Sequence, residues 1–294
     1  MGGRQLRAAY RGLQADVEAD PPAEPDPVLV DVAAEPFGSV ADAEARLSRL
    51  QSRLRAGGDR RAVFLTIYAR MTRDVRRQLG TGAFENPDWM REYTVTFAEY
   101  YRRAFLAFER GRVESVPDAW LLAFGTALEG DALVMQDAIL GINAHINYDL
   151  ALTVRDVGIF SDRASKYRDH RAINEVLAGL VNVQQRALAD IYAAGIADVD
   201  AVLGPFDEWF AGASLAEARE QAWRVAVVLS DFSLRLVEVA ARWLLRTTAV
   251  GGAAVVLSPG VDPHLLDSLK RIERREHDLA GLLDRIDDRL QDPY

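Results

Sequence analysis

Residues 131–158, DALVMQDAILGINAHINYDLALTVRDVG, are the part of the sequence that most constrains the fold. It is apolar on nearly all sides, which is typical of a helix surrounded by other helices. We therefore predict a central helix at 131–157. Within it, the segment GINAHINYDL, residues 141–150, holds two asparagines, a histidine and an aspartate. Buried polar groups need partners, so this segment is also the first candidate for a functional site.

Amphipathic segments with helix start and stop signals lie on both sides of this central helix. Ser39 followed by Asp42 marks one helix start, and Pro87 lies in the first turn of a later helix. The whole pattern predicts about eight helices, with no βαβ alternation and no regular repeat. The sequence therefore predicts a single all-α domain at 38–294, a multi-helix bundle that ends in a charged, peripheral helix at 261–290.

Two segments depart from this pattern. Residues 1–37 contain clusters of acidic residues and prolines, and we predict a flexible, loosely attached arm there. Residues 236–257 resemble a membrane span, but Arg242 and Arg246 interrupt it, and a central arginine costs roughly 2.5–3.5 kcal/mol on insertion scales. We interpret this segment as a buried or groove-lining helix that is broken at Gly251–Gly252 and followed by a short extended tail.

Composition excludes several classes of protein and site. The net charge of −9 gives no general electrostatic attraction to nucleic acid or to an anionic membrane. The absence of cysteine removes disulfides, thiolate nucleophiles and cysteine metal sites. The N-terminus lacks the apolar core of a secretory signal, so we expect a cytoplasmic location. The sequence contains no glycine-rich phosphate loop, G-x-S-x-G elbow or H-E-x-x-H motif.

Two pairs of polar residues at helical spacing are the candidate catalytic residues. His145 and Asp149 are four apart and share a helix face, so they can bind one divalent metal ion (Zn, Fe or Mn) or act as a general base with its orienting partner. His170 and Asn174 repeat this spacing on the next helix. A short loop joins the two helices, so we predict an antiparallel hairpin in which both pairs face one cavity, with His145, Asp149 and His170 as metal ligands.

Further residues are predicted to bind substrate. They are amides on the central helix, aromatic residues that wall the cavity and an Arg–Trp pair: Gln136, Asn143, Asn147, Tyr101, Arg219 and Trp223. A structural interpretation has about equal weight, since buried histidines and asparagines often only fix the register between helices. His264 and His277 lie in the charged C-terminal segment, and we interpret both as surface residues.

The core stretch LVMQDAILGINAHINYDLALTV resembles the signature of an uncharacterised all-α family of bacteria and archaea, a domain of unknown function with the core motif L-G-x-N-A-H-I-N-x-D-L. The shorter pieces FAEYYRRAF, PDAW, DHRAIN and AREQAW match as well, and the resemblance covers roughly residues 40–245. It implies one helical domain and supplies no reaction. The characteristic positions that it implies are Gln136, Asn143, His145, Asn147, Asp149, Asn174, Arg219 and Trp223.

Two functional hypotheses follow. The first is a small-molecule enzyme, of the kind that serves biosynthesis, whose His/Asp/Asn site hydrolyses, cyclises or isomerises a partly apolar substrate by metal-assisted or acid–base chemistry. The second is a non-catalytic helical module that binds a hydrophobic ligand or a partner protein through the apolar residues 225–257. Neither hypothesis involves nucleic acid or a membrane span.

Overall fold

The computed structural model of the chain describes residues 17–177, 212–258, 263–276 and 279–291. These ranges are helical and contain no β-strand, which confirms the predicted all-α fold class, although the helices outnumber the predicted eight. The helices are α1 (Pro27–Ala34), α2 (Val40–Ala56), α3 (Ala62–Leu79), α4 (Pro87–Glu109), α5 (Asp118–Glu129), α6 (Val134–Ala144), α7 (Leu150–Val157), α8 (163–177), α9 (Gly212–Asp231), α10 (Arg235–Leu257), α11 (Pro263–Glu276) and α12 (Leu279–Gln291).

The predicted helix starts are confirmed by their hydrogen bonds and residue types. The Ser39 hydroxyl accepts a hydrogen bond from the backbone N–H of Asp42 at 3.1 Å and so caps α2. Pro87 is the first residue of α4, where its missing N–H costs nothing. The N-terminus of α4 is capped from a distant helix, because the Asp169 carboxylate of α8 accepts from the N–H groups of Glu85 and Asn86.

The central helix is built from α6, a five-residue π-helical turn at His145–Asp149, and α7, which together run without a break from 134 to 157. Helices α3, α5 and α10 pack around α6, while α4 and α9 pack around α7. The apolar residues of the central helix are therefore buried on all sides, as its composition predicts.

The predicted flexible arm differs from the structure in its second half. Residues 27–34 form helix α1, which packs on α2 and α4 and buries Leu29 and Val32. Arg102 of α4 donates a hydrogen bond to the carbonyl of Ala33 at 2.7 Å. The segment is therefore ordered despite its acidic and proline-rich composition, because it buries Leu29 and Val32 and accepts a hydrogen bond from Arg102. Residues 1–16 lie outside the described residues.

The predicted break and extended tail at the end of α10 were wrong, because the helix continues through Gly251–Gly252 to Leu257. Both glycines are buried, and side chains of the central helix bind the α10 backbone on either side of them. Close packing between helices favours glycine and offsets its low helix propensity. None of the described helices is both long enough and apolar enough to cross a bilayer.

The C-terminal segment also differs from the prediction of one peripheral helix. It forms two helices, α11 and α12, which bury Leu269, Leu282 and Leu283. The carboxylate of Glu273 in α11 accepts a hydrogen bond from the N–H of Val134 at 3.0 Å and so caps the central helix. His264 is exposed, as predicted, and His277 lies outside the described residues.

Candidate functional site

A π-helical turn places His145 and Asp149 at the middle of the central helix. The backbone N–H of Leu150 donates to the carbonyl of His145, five residues back, in place of the usual four. Both side chains are almost completely buried, His145 at 2% exposed and Asp149 at 0%. Such single π-helical turns are rare and frequently lie at functional sites, so the backbone itself marks this position.

One carboxylate oxygen of Asp149 accepts hydrogen bonds from two N–H groups. Asp149 Oδ2 lies 2.9 Å from His145 Nδ1 and accepts a hydrogen bond from Trp120 Nε1 at 2.8 Å. An indole N–H can only donate, so this oxygen is an acceptor, as expected for a carboxylate. We therefore assign the imidazole proton to Nδ1 of His145, which leaves the lone pair on Nε2.

Burial governs the protonation of this pair. Burial lowers the pKa of the His145 imidazole, against the opposing influence of the Asp149 carboxylate. Burial also raises the pKa of Asp149, against the hydrogen bonds from His145 and Trp120. Both shifts favour the uncharged form of the group concerned, because a low-dielectric interior disfavours charge. His145 is therefore a neutral imidazole at neutral pH.

An aromatic box surrounds the imidazole of His145. Phe97 stacks on it with ring centroids 3.5 Å apart and an 8° angle between the planes, and Tyr68 meets it edge-on at 4.6 Å. We define the aromatic box by the five side chains whose rings lie within 6.5 Å of His145: Phe64, Tyr68, Phe97, Tyr101 and Trp120. The box is a buried, polarisable environment in which an electrostatic interaction is stronger than in water.

Three polar atoms in and around the box have no hydrogen-bond partner among the described residues. They are Nε2 of His145, Oδ1 of Asp149 and the hydroxyl oxygen of Tyr101. Native proteins satisfy nearly all buried polar groups, so three such atoms around one imidazole require an explanation. A site that receives a polar ligand or a water molecule is one explanation that accounts for all three.

Helix α3 faces the central helix in matched register. Three residue pairs at i, i+4 and i+8 spacing join the two segments: Arg60 with Asp137, Phe64 with Gly141, and Tyr68 with His145. The residue numbers increase together, so the two helices run parallel. The Phe64 ring occupies the space beside Gly141, one helical turn before His145.

The second predicted pair forms a separate and fully bonded cluster. His170 Nε2 lies 3.1 Å from the backbone oxygen of Arg219, which can only accept, so His170 Nδ1 accepts from the Tyr93 hydroxyl, also at 3.1 Å. The Arg219 guanidinium donates to Asn174 at 2.8 Å, and the Trp223 ring lies 5.2 Å from His170. Burial, followed by the charge of Arg219, holds the pKa of His170 well below its usual range.

The shared cavity predicted for the two histidines does not form. His145 lies against Phe97 and His170 against Tyr93, one turn apart on α4, and no hydrogen bond or ring contact joins the histidines in the described ranges. The predicted metal ligands His145, Asp149 and His170 therefore do not converge. Nor do any three histidines, aspartates or glutamates elsewhere in these ranges. The length of a hairpin fixes how far each residue lies from the turn, but it does not fix the rotation of each helix about its own axis.

The predicted amides on the central helix bind helix α10. Gln136 donates to the carbonyl of Val256 and Asn143 donates to that of Ala249, each at 2.8 Å. Asn147 donates to Asn143 at 2.9 Å. Gln136 and Asn143 hold α10, Asn147 binds Asn143, and none of the three takes part in the aromatic box. Tyr101 is thus the one predicted substrate-binding residue whose side chain lies in the box.

Sequence reasoning missed Phe64, Tyr68 and Trp120 as parts of this site, and Asp137 as a buried charge beside it. Trp120 belongs to the PDAW segment, which matched the family resemblance but was given no functional role. The i, i+4 spacing of Phe64 and Tyr68 was a usable signal, since it repeats the spacing of Gly141 and His145.

Fold and site together define an all-α protein with a histidine–aspartate pair buried in its central helix. The chain belongs to the family of unknown function DUF5995, whose model matches residues 40–259. This match confirms the family resemblance. Comparison with curated proteins and with solved structures found no match.

Proposed function

We propose that the chain is an acid–base enzyme that acts on a small, partly apolar molecule in the aromatic box. The observation that carries this proposal is the free lone pair on His145 Nε2, which has no partner among the described residues. A neutral imidazole that is fixed through its other nitrogen by a carboxylate is the arrangement of a general base. In this role His145 Nε2 takes a proton from the substrate.

Two neighbouring residues support the base. Asp149 holds the tautomer and orientation of the imidazole and stabilises the imidazolium that forms when Nε2 takes the proton. Burial raises the pKa of the Tyr101 hydroxyl well above its ordinary value, so Tyr101 stays protonated. Its unpartnered O–H is available to donate to an oxygen on which negative charge develops.

The surroundings favour isomerisation or cyclisation over hydrolysis. Five aromatic side chains enclose the imidazole, and a site that excludes water protects a carbanion or enolate from competing reactions. The donor set does not fit the metal ion suggested by the sequence. His145 Nε2 and Asp149 Oδ1 offer two ligands, whereas catalytic zinc sites use three from the protein.

Carbethoxylation tests this proposal without knowledge of the substrate. Diethyl pyrocarbonate transfers an ethoxycarbonyl group to an unprotonated imidazole nitrogen and releases carbon dioxide and ethanol. We expect mass spectrometry of the folded chain to find the group on His145, more slowly than on exposed His264. We expect none on His170, whose two ring nitrogens are both engaged. Asp149→Asn removes the carboxylate that stabilises the charged imidazole and slows the labelling of His145.

The opposite pattern contradicts the proposal. If His145 stays unmodified for as long as His170 does, its lone pair is not reachable and the pair serves only the fold. A His145→Gln variant separates the two roles, because the glutamine amide can still donate to Asp149. A structural role predicts a lower melting temperature and no other loss. The enzyme proposal predicts loss of turnover on any substrate identified by screening.

A second candidate function, binding of a partner protein, is favoured by an exposed apolar strip at the junction of α9 and α10. The strip consists of Phe232, Leu234, Leu236, Val239 and Trp243, which are 49–83% exposed. It is narrower than the predicted surface at 225–257, because α10 is largely buried from Leu245 onward. Contiguous exposed apolar residues with a polar rim mark interaction surfaces.

Charge around the strip indicates the partner's chemistry. Helix α10 carries three arginines and one glutamate, although the whole chain has a net charge of −9. At helical spacing Arg235, Arg242 and Arg246 lie along one side of the strip, and Arg235 has no charged partner among the described residues. We propose that the partner is an amphipathic helix with acidic residues beside its apolar stripe.

Two synthetic helical peptides test this second function, one with glutamates and one with lysines beside the same leucine stripe. We expect the full-length chain to bind the acidic peptide in fluorescence anisotropy and Leu236→Asp to abolish binding. Val28→Asp, a matched change at an exposed residue of α1, leaves binding unchanged. Equal binding of both peptides, self-association of the chain in their absence, or binding only to anionic vesicles contradicts the proposed partner.

A further inference from the structure

A cleft lies between the start of α3 and the C-terminal helices. Its volume is about 200 Å³, and its walls include Arg60, Lys270, Glu273, Leu279 and Leu282. Leu282 is buried and Leu279 partly buried, so one wall is apolar. The other walls carry two cationic side chains, Arg60 and Lys270, and two carboxylates, Asp131 and Glu273. The ammonium of Lys270 has no charged or hydrogen-bonded partner among the described residues.

An inner void of about 10 Å³ lies deeper in the molecule. Arg60 lines this void as well as the cleft, and the other walls of the void include Phe64, Trp120, Asp137 and Gly141. A void of this size holds about one water molecule. Since Phe64 and Trp120 also belong to the aromatic box, the cleft, the void and the box follow one another along the facing surfaces of α3 and α6.

The inner void contains an unpartnered buried oxygen. Asp137 is 4% exposed, and its Oδ2 accepts from Arg60 Nε at 2.6 Å. Its Oδ1 has no hydrogen-bond partner among the described residues. Burial raises the pKa of this carboxyl to about 7, in spite of Arg60. An unsatisfied carboxylate oxygen beside a void indicates that a polar group from outside the fold is accommodated there.

We infer that the substrate reaches His145 from the cleft, past Arg60 and Phe64, and that it is a small monoanion with an apolar body. This inference rests on the proposed acid–base function. Lys270, which has no ionic partner among the described residues, holds the anionic group in the cleft, whereas the Arg60 guanidinium is already bound to Asp137. The apolar body extends over Gly141 toward the imidazole. Displacement of the Phe64 ring joins the inner void to the aromatic box. The glycine matters because it leaves the central helix without a side chain along this path.

The path is tested by the rate at which diethyl pyrocarbonate modifies His145. Phe64→Ala opens the path, and we expect it to raise that rate at least tenfold over the unaltered chain. Phe37→Ala is the matched control, because it also removes a buried phenylalanine ring but lies between α1 and α2, outside the linings of the void and the cleft. Equal acceleration by both variants indicates general loosening of the fold and overturns the path.

The class of substrate is tested with benzoate as the probe. We expect benzoate to slow the labelling of His145 at least threefold, and neutral benzamide and inorganic phosphate to have no such effect. Lys270→Glu removes this protection, whereas Lys166→Glu, at the only other lysine, retains it. Equal protection by benzamide, or no protection by benzoate, overturns the inference of an anionic substrate. In either case, labelling of His145 itself still supports the acid–base function. Failure of His145 to react in every variant overturns both.

Discussion

The ring of Phe64 occupies the space that a side chain at Gly141 would need. A Cβ atom built on Gly141 would lie 2.5 Å from Cγ and Cδ2 of Phe64 and 2.7 Å from its Cβ. Carbon atoms in proteins do not approach so closely, so the two helices reach their observed separation only with glycine at this position. The contact sets the distance between α3 and the central helix and thereby the position of Tyr68 beside His145.

Gly141→Ala should therefore destabilise the chain. An alanine in a helix gains up to about 1 kcal/mol over glycine from propensity alone, but overpacking against Phe64 costs about 1–3 kcal/mol. We expect a net decrease in the free energy of unfolding, measured by urea denaturation. Gly38→Ala is the control, since nothing lies within 4 Å of its new Cβ. A Phe64→Leu change in the same chain should restore part of the loss, and strict additivity of the two changes would contradict the contact.

Asp149 accepts hydrogen bonds from two N–H groups, and this leads to a second prediction. Asp149→Ala leaves the imidazole N–H and the Trp120 indole N–H buried without an acceptor, which costs about 1–3 kcal/mol for each group. Asp149→Asn keeps an acceptor oxygen, so we expect it to lose less than half as much unfolding free energy as the alanine variant. Equal losses for the two variants, measured in urea, would show that the carboxylate oxygen is not the shared acceptor.

Asp137 should make stability depend on pH. Its pKa is raised to about 7 in the folded chain from a model-compound value of 3.8, so folding takes up a proton between these values. The associated stability is fully present below about pH 4 and is lost as the pH rises through 7, at up to about 1.4 kcal/mol per pH unit. Asp137→Asn should remove this slope. The test compares the free energies of unfolding of the variant and the unaltered chain, measured by urea denaturation at pH values from 4 to 8. Asp88→Asn, at a surface carboxylate, should leave the slope unchanged.

The cluster around His170 should behave as part of the fold. Tyr93→Phe removes the hydroxyl that donates to His170 Nδ1 and leaves a buried acceptor without a partner, so we expect a loss of about 1–2 kcal/mol in unfolding free energy. Tyr100→Phe is the matched control, because the Tyr100 hydroxyl bonds the more exposed Asp156 carboxylate and its loss should cost less. A larger loss at Tyr100 would contradict a structural role for His170.

Local signals predicted most of the fold. Caps and first-turn prolines, such as Ser39 and Pro87, act within one turn of their own helix and are readable from neighbouring residues. The apolar central helix was predicted for the same reason. Gly251–Gly252 misled the prediction, since the contacts that stabilise glycine in a helix come from residues more than a hundred positions away along the chain.

The candidate site was predicted only where its residues are close in sequence. Spacing of four residues identified His145 and Asp149 as a pair, and the structure brings them within hydrogen-bond distance. Trp120 and Phe64 reach the same pair from α5 and α3, and no local pattern states how those helices are rotated. The same unknown rotation explains why His170 was assigned to a shared cavity but faces Tyr93.

The protonation of His145 can be measured in a long-range proton–nitrogen NMR spectrum of the chain labelled with nitrogen-15 in histidine. We expect His145 to be a neutral imidazole at pH 7 with its proton on Nδ1, and Nε2 to have the chemical shift of an unprotonated nitrogen. A His145→Gln spectrum assigns the signals. A proton on Nε2 of His145, or a charged ring at pH 7, would contradict the claim that this buried histidine holds a free base ready for a substrate.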